Sequence, residues 1–222
     1  MKAFGVTIAA LVLWAGMAAA QNITVGVTVA GTAGPWEWVN GGLNTAYPYT
    51  PAGSGSGNPG SPAAPTLISA TNGFRFSVGD SLTISYVSGL VSYGGNGSPH
   101  VDANGDTNTL ANSTTYDGGF PSNYMSPYPI YTAELVGTFA NSSGQIVGSP
   151  FAIGDLGTFT VPTGATQLQL GVNDNWYGDN SGSWTIQVTG PAVPEPTTTA
   201  LVLIGLGSFG LTIRRCRRSV VR

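Results

Sequence analysis

Three segments of this chain alternate apolar and polar side chains with a period of two. Leu82, Ile84 and Tyr86 alternate with Thr83 and Ser85. Leu168, Leu170 and Val172 alternate with Gln167, Gln169 and Gly171. Trp184, Ile186 and Val188 alternate with Thr185, Gln187 and Thr189. Successive side chains of a strand point to opposite faces, so each segment reads as a half-buried strand with its apolar set on a core. Less regular candidates are residues 23–29, 134–139 and 158–161. Asn, Asp, Gly, Ser and Pro fill the gaps, as turns require. Composition points the same way: 33 Gly and 15 Pro stand among 222 residues, and only 8% are charged. Gly and Pro are the poorest helix formers, which disfavours a helix-rich fold and excludes a coiled coil. The 41% of hydrophobic residues suffices for a core. At least six short antiparallel strands between residues 21 and 193 predict an all-β sandwich.

The charges are segregated. Of seven basic residues, Lys2 opens the chain and Arg214, Arg215, Arg217, Arg218 and Arg222 close it. Residues 21–193 contain nine acidic side chains and one basic one, Arg75, for a net charge of −8. Such a surface repels phosphate backbones, so no nucleic-acid partner is expected, and it suits a hard cation such as calcium.

Both ends read as addresses. Residues 1–20 combine Lys2, an apolar run and Ala18-Ala19-Ala20, the pattern of a cleaved secretory signal, with Gln21 as the mature start. Near the C-terminus, Val193-Pro194-Glu195-Pro196 precedes an uncharged apolar segment, 197–213, and then the arginine cluster at 214–222. Seventeen apolar residues are the lower limit for crossing a bilayer, and the arginines stay on the cytoplasmic side. The exported region is then residues 21–193, with 194–222 as a C-terminal membrane segment. The single cysteine, Cys216, lies beyond that segment, so no disulfide is expected in the exported part. Residues 52–65, AGSGSGNPGSPAAP, form a low-complexity insertion. Residues 120–131 carry Phe120, Tyr124, Tyr128 and Tyr131 among three prolines, either a packed aromatic loop or a binding platform.

The order Pro-Glu-Pro, apolar segment, arginine cluster resembles the PEP-CTERM sorting signal of Gram-negative bacteria. That resemblance implies a processing enzyme of the exosortase type. It also implies a chain anchored in the inner membrane before processing, then delivered to the cell surface or an extracellular polysaccharide matrix.

One run carries chemistry: Asn173-Asp174-Asn175-Trp176-Tyr177-Gly178-Asp179-Asn180-Ser181-Gly182-Ser183, between two well-patterned strands. Calcium takes about six to eight oxygens from carboxylates, amides and main-chain carbonyls. Asp174 and Asp179 can meet at one point if the loop curls, and Gly178 permits the curl. A polar turn with two solvated aspartates is the plain alternative.

The run N-D-N-W-Y-G-D-N-S-G-S-W resembles the C-terminal signature of the PA-IL-type galactophilic lectins, N-D-x-x-x-T-Y-G-N-N-S-G-S-F. Val78-Gly79-Asp80-Ser81-Leu82-Thr83-Ile84 and Val91-Ser92-Tyr93-Gly94 resemble that family's P-G-D-x-I-T-I strand and W-A-S-Y-G turn. The likeness spans residues 66–190. It implies a jelly-roll-like antiparallel β-sandwich that binds one calcium ion and, through it, galactose hydroxyls. Carried across, Asp174, Asp179 and Asn180 are implied as side-chain calcium ligands, with Tyr93 and Trp176 as main-chain ligands. His100, Asp102, Asp174, Asn175 and Asp179 are implied sugar contacts. This chain departs from the family in three places. Its loop is two residues shorter between Asp174 and Tyr177, Asp179 replaces an Asn, and residues 104–128 have no clear counterpart.

The function expected is an exported, calcium-dependent, lectin-like protein of the bacterial surface or matrix. It would bind a galactose-type sugar or an exopolysaccharide. The alternative is a structural matrix protein whose calcium only braces loops. Catalysis is not expected. Asp102 and Asp106 could pair as glycosidase carboxyls but nothing marks either as buried, no nucleophile elbow follows a strand, and one histidine without cysteines does not make a zinc site.

Overall fold

The period-two segments become strands, and the places where the period breaks are informative. The computed structural model describes residues 21–35, 63–95, 98–111, 130–174 and 176–194, with the backbone of 38–39 and 42–43. The secretory signal, most of the low-complexity insertion and of the aromatic stretch, Asn175, the apolar segment 197–213 and the arginine cluster lie outside the described residues. Among the described residues no helix is long and apolar enough to cross a membrane.

In chain order the strands are β1 (Asn22–Ala30), β2 (Trp38–Val39), β3 (Gly42–Leu43), β4 (Thr66–Ser69), β5 (Ser81–Ser92), β6 (His100–Val101), β7 (Asp106–Ala111), β8 (Ile130–Thr132), β9 (Leu135–Ala140), β10 (Phe151–Ala152), β11 (Leu156–Thr160), β12 (Gln167–Val172) and β13 (Ser181–Pro191). They form an antiparallel sandwich. One sheet runs β1-β13-β5-β11, with β6 on the far end of β5, and the other runs β10-β9-β12-β4. Two small ribbons, β2-β3 and β7-β8, complete the set. The three less regular candidates correspond to β1, β9 and β11.

The core lies between the sheets. Val29, Leu82, Ile84, Trp184, Ile186 and Val188 meet Ile68, Leu135, Leu168, Leu170 and Val172, all fully buried. Each contributes roughly 1.5–3 kcal/mol of apolar burial. Trp184 donates its indole N–H to Val101 O at 3.1 Å, which pins β6 to the core. Residues Asn22–Val193 pack as one compact unit.

Two details differ from the simple alternation. Tyr86, expected to share the core face with Leu82 and Ile84, is only half-buried. Thr185 stands opposite Ser88 but Ile186 stands opposite Tyr86, so Val87 is an extra residue on β5. That bulge shifts the parity of the strand, and beyond it Val91 faces the core while Leu90 is exposed. Gln169, expected on a wet face, is fully buried. The segment 33–35 crosses β12 so closely that a Cβ on Gly171 would lie 2.4 Å from Gly34 C. Under this cover Gln169 Oε1 accepts from Thr138 Oγ1 at 3.0 Å, and its Nε2 donates to Gly144 O at 3.3 Å. Central strands need an apolar or satisfied face on both sides once a loop folds over them.

Candidate functional site

The chemistry-bearing run follows β12, and it straddles the protein surface. Asp174 and Asn180 are buried, at 2% and 8% exposure, whereas Trp176 is 44% exposed and Asp179 is exposed. The cause is local. Asp174 accepts the Trp176 N–H at 3.1 Å, which closes a tight turn. The following 3-10 turn, Tyr177–Asp179, drives the Tyr177 ring into the core, where its hydroxyl donates to Val172 O at 2.8 Å. Asn180 then enters β13 with its Nδ2 donating to Gly31 O at 2.8 Å. This bond fixes the direction of the amide, because a flip would set two carbonyl oxygens face to face. Asn180 Oδ1 is therefore aimed away from Gly31, buried, and among the described residues no hydrogen bond reaches it.

Tyr93 follows β5 directly. The next turn bonds to the same loop, with Gly95 N–H donating to Asp179 O at 3.2 Å. The Tyr93 hydroxyl donates to Asp106 Oδ2 at 2.6 Å. Asp106 also accepts from Thr109 Oγ1 at 2.8 Å and from Asn108 N at 3.0 Å. The Tyr93 hydrogen bond is the largest influence holding the Asp106 carboxyl below its ordinary pKa. Burial, the hydrogen bond to Asp106 and the nearby charge of Asp174 together push the Tyr93 phenol up to about 12. Tyr93 thus links the Asp174 loop to the β7-β8 ribbon.

His100 and Asp102 stand on the other side of that link. They line an open hollow of about 430 Å³ with Leu90, Val101, Asn104 and Asp106. Asp102 Oδ1 accepts from Asn104 N at 2.9 Å, and Asn104 Oδ1 accepts from Asp155 N at 3.2 Å. These bonds hold the wall of the hollow. Gly105 (φ +73) turns the chain there, and a Cβ would lie 2.5 Å from Thr132 O.

The expected residues therefore fall into two neighbouring groups. Asp174, Asn180, Tyr93 and Asp179 gather at the loop, and His100 and Asp102 gather in the hollow. Asn175 lies outside the described residues. Among the described residues no three of His, Cys, Asp and Glu converge; the implied set has two carboxylates and takes its other oxygens from an amide and main-chain carbonyls. A buried amide oxygen of fixed direction and a buried carboxylate in one loop are donors of the kind a hard, oxygen-seeking cation takes.

Two residues join the site in roles that sequence reasoning did not give them. Asp106 lies in the run Asp-Ala-Asn-Gly-Asp, a visible signal, yet its bond to Tyr93 spans a loop and a ribbon. Leu90 belongs to a strand whose parity only the bulge reveals. A third carboxyl, Glu134, is 9% exposed. Burial pushes it up to about 7, against the lowering effect of the Tyr131 N–H, which it accepts at 2.8 Å. Glu134 does not line the hollow, and Asp106 is held ionised.

Residues 192–218 match the PEP-CTERM protein-sorting motif. The chain is an exported protein with a C-terminal sorting signal of the exosortase-processed kind. Among solved structures, the EclA N-terminal domain, a PllA-like lectin, is 15% identical; the likeness covers 74% of this chain and 94% of that one at a TM-score of 0.36. AJLec from the sea anemone Anthopleura japonica is 14% identical and covers 60% of this chain and 90% of that one at a TM-score of 0.32. Both are lectin domains, the class the sequence resembles. The overlap is partial, so the functional reading rests on the residues. No curated protein matches the chain in sequence.

Proposed function

We propose that this protein is a calcium-dependent carbohydrate-binding protein of the bacterial surface or matrix, delivered there through exosortase processing. The observation that carries the reading is Asn180 Oδ1: a buried amide oxygen, fixed in direction, in the same loop as the buried carboxylate of Asp174. Leaving such an acceptor without a partner costs about 1–3 kcal/mol, a cost that a bound cation removes. Asp174, Asp179 and Asn180 would hold calcium with side-chain oxygens, and Tyr93 and Trp176 with carbonyls. Bound there, calcium would supply open coordination positions for vicinal sugar hydroxyls. His100, Asp102 and Asn175 would orient the sugar, for which a galactose-type ring is the expectation. Carboxylates that accept from the hydroxyls make charge-assisted bonds stronger than neutral ones.

The test is thermal unfolding in calcium and in a chelator, for the wild type and for Asp174→Ala with Asp179→Ala, followed by a glycan array in both buffers. Calcium should raise the Tm of the wild type and not of the variant, and glycan signals should need calcium. Unchanged melting in the wild type would remove calcium from the reading. The burial of Asp174 and Asn180 also favours a second reading, in which calcium only braces the loop. In that case calcium raises the Tm and no glycan binds.

A further inference from the structure

We propose that the glycan seated in the hollow bears free amino groups, so that the preferred partner is a cationic amino-sugar chain. The inference rests on the carbohydrate-binding reading and names its chemical class. The hollow presents the carboxylates of Asp102 and Asp106 and no basic lysine or arginine. The only Lys or Arg in residues 21–193 is Arg75. It is already engaged: Arg75 Nε and Nη2 donate to Asp80 at 3.1 and 2.8 Å, a bidentate pair. The region carries −8, and a bound divalent cation would leave −6. An acidic polysaccharide meets repulsion here that nothing on the domain offsets.

The lining also suits an aminated ring. Leu90 and Pro99 offer apolar surface for the ring's C–H face, and the volume lies within the roughly 300–1,000 Å³ of small-ligand sites. Asp106 has both oxygens engaged by Tyr93, Asn108 and Thr109, so it contributes charge. Asp102 engages Oδ1 with Asn104 N and lies half-buried at the rim, where an ammonium can approach it.

A second observation lies beneath. Ser92 stands opposite His100 on β6 and two residues from Leu90, so its side chain shares their side of the sheet. Ser92 is 2% exposed, and among the described residues no hydrogen bond reaches its Oγ. Ser92 lies behind the residues that line the hollow rather than among them. An ammonium offers three donors and a charge to this acceptor-rich lining, whereas an N-acetyl group offers one donor and no charge.

The experiment is isothermal titration of the full chain, purified in non-ionic detergent with calcium, against a short β-1,4-linked glucosamine oligomer and its fully N-acetylated counterpart. The aminated oligomer should bind at least about five-fold more tightly at low salt. The difference should shrink towards one as salt approaches roughly 1 M. Asp102→Asn keeps the acceptor for Asn104 N and should bring the ratio of the two affinities close to one. Equal affinities in the wild type, or a preference that survives in Asp102→Asn, overturns the inference while leaving carbohydrate binding in place. If neither oligomer binds, and a glycan array in calcium is also blank, the carbohydrate reading falls with it.

Discussion

Glu134→Gln should make the protein more stable at neutral and alkaline pH. The carboxyl is 9% exposed, and its pKa is raised from 4.5 to about 7 by burial. A folded-state pKa above the unfolded value means the folded chain holds a proton that the unfolded chain has lost. Stability is then highest below pH 4.5, falls between 4.5 and about 7, and stays reduced above. A shift of about 2.5 units at about 1.4 kcal/mol each gives roughly 3 kcal/mol at full ionisation. Partial opening that admits water to the carboxylate lowers that figure. The turn around Glu134 transmits the effect to the site. Ala133 is held at φ 58, its N–H donates to Asn173 O, and Asn173 N donates back to Glu134 O. On the other side Leu135 N donates to Ala103 O. Gln at 134 retains an oxygen for the Tyr131 N–H and removes the titration. Urea unfolding of wild type and variant across this pH range measures it. The wild type should lose stability as pH rises from 4.5 to 7 and the variant should not, so the curves separate by about 2–3 kcal/mol above neutrality. A wild-type profile that is flat there, or a variant no more stable at alkaline pH, would refute the burial argument.

Tyr93→Phe removes the 2.6 Å bond to Asp106 and should cost about 1–2 kcal/mol; ultraviolet titration of the wild type should show a tyrosine ionisation near 12 that is lost in the variant. Gly105→Ala forces an L side chain to φ +73 with its Cβ 2.6 Å from Glu134 N, so it should lose at least about 1–3 kcal/mol in chemical denaturation. Arg75→Gln removes the guanidinium whose hydrogen bond is the main cause of the lowered Asp80 pKa. A carboxyl with a lowered folded-state pKa stabilises above its unfolded pKa and loses that contribution in acid. The variant should therefore be less stable than wild type at neutral pH, with the gap closing below the carboxylate range in acid unfolding curves.

Much of the fold was legible because β-structure writes its burial into neighbouring residues. Trp184, Ile186 and Val188 alternate with polar partners, and all three are buried in β13 as the alternation predicts. Leu168 and Leu170 behave alike in β12. Gln169 was not legible, because a polar residue in a strand reads as wet unless another segment covers it, and the cover comes from residues 33–35. Tyr86 departs from its expected face for a related reason. A bulge changes parity without changing composition, and the partner strand alone reveals it.

The site divides along the same line. The run from Asn173 to Ser183 declares itself by its carboxylates, amides and glycines, and its position between two strands follows from their patterns. Those residues, the charge segregation and the C-terminal sorting signal are properties of local sequence and could be read from the chain alone. Which loop oxygens are buried and which are exposed was decided only by tertiary structure. So were the tie of Tyr93 to Asp106, the hollow shared by His100 and Asp102, and the raised carboxyl of Glu134. Each depends on how loops and strands meet in space, and local patterning records the face of a strand but not what is packed against it.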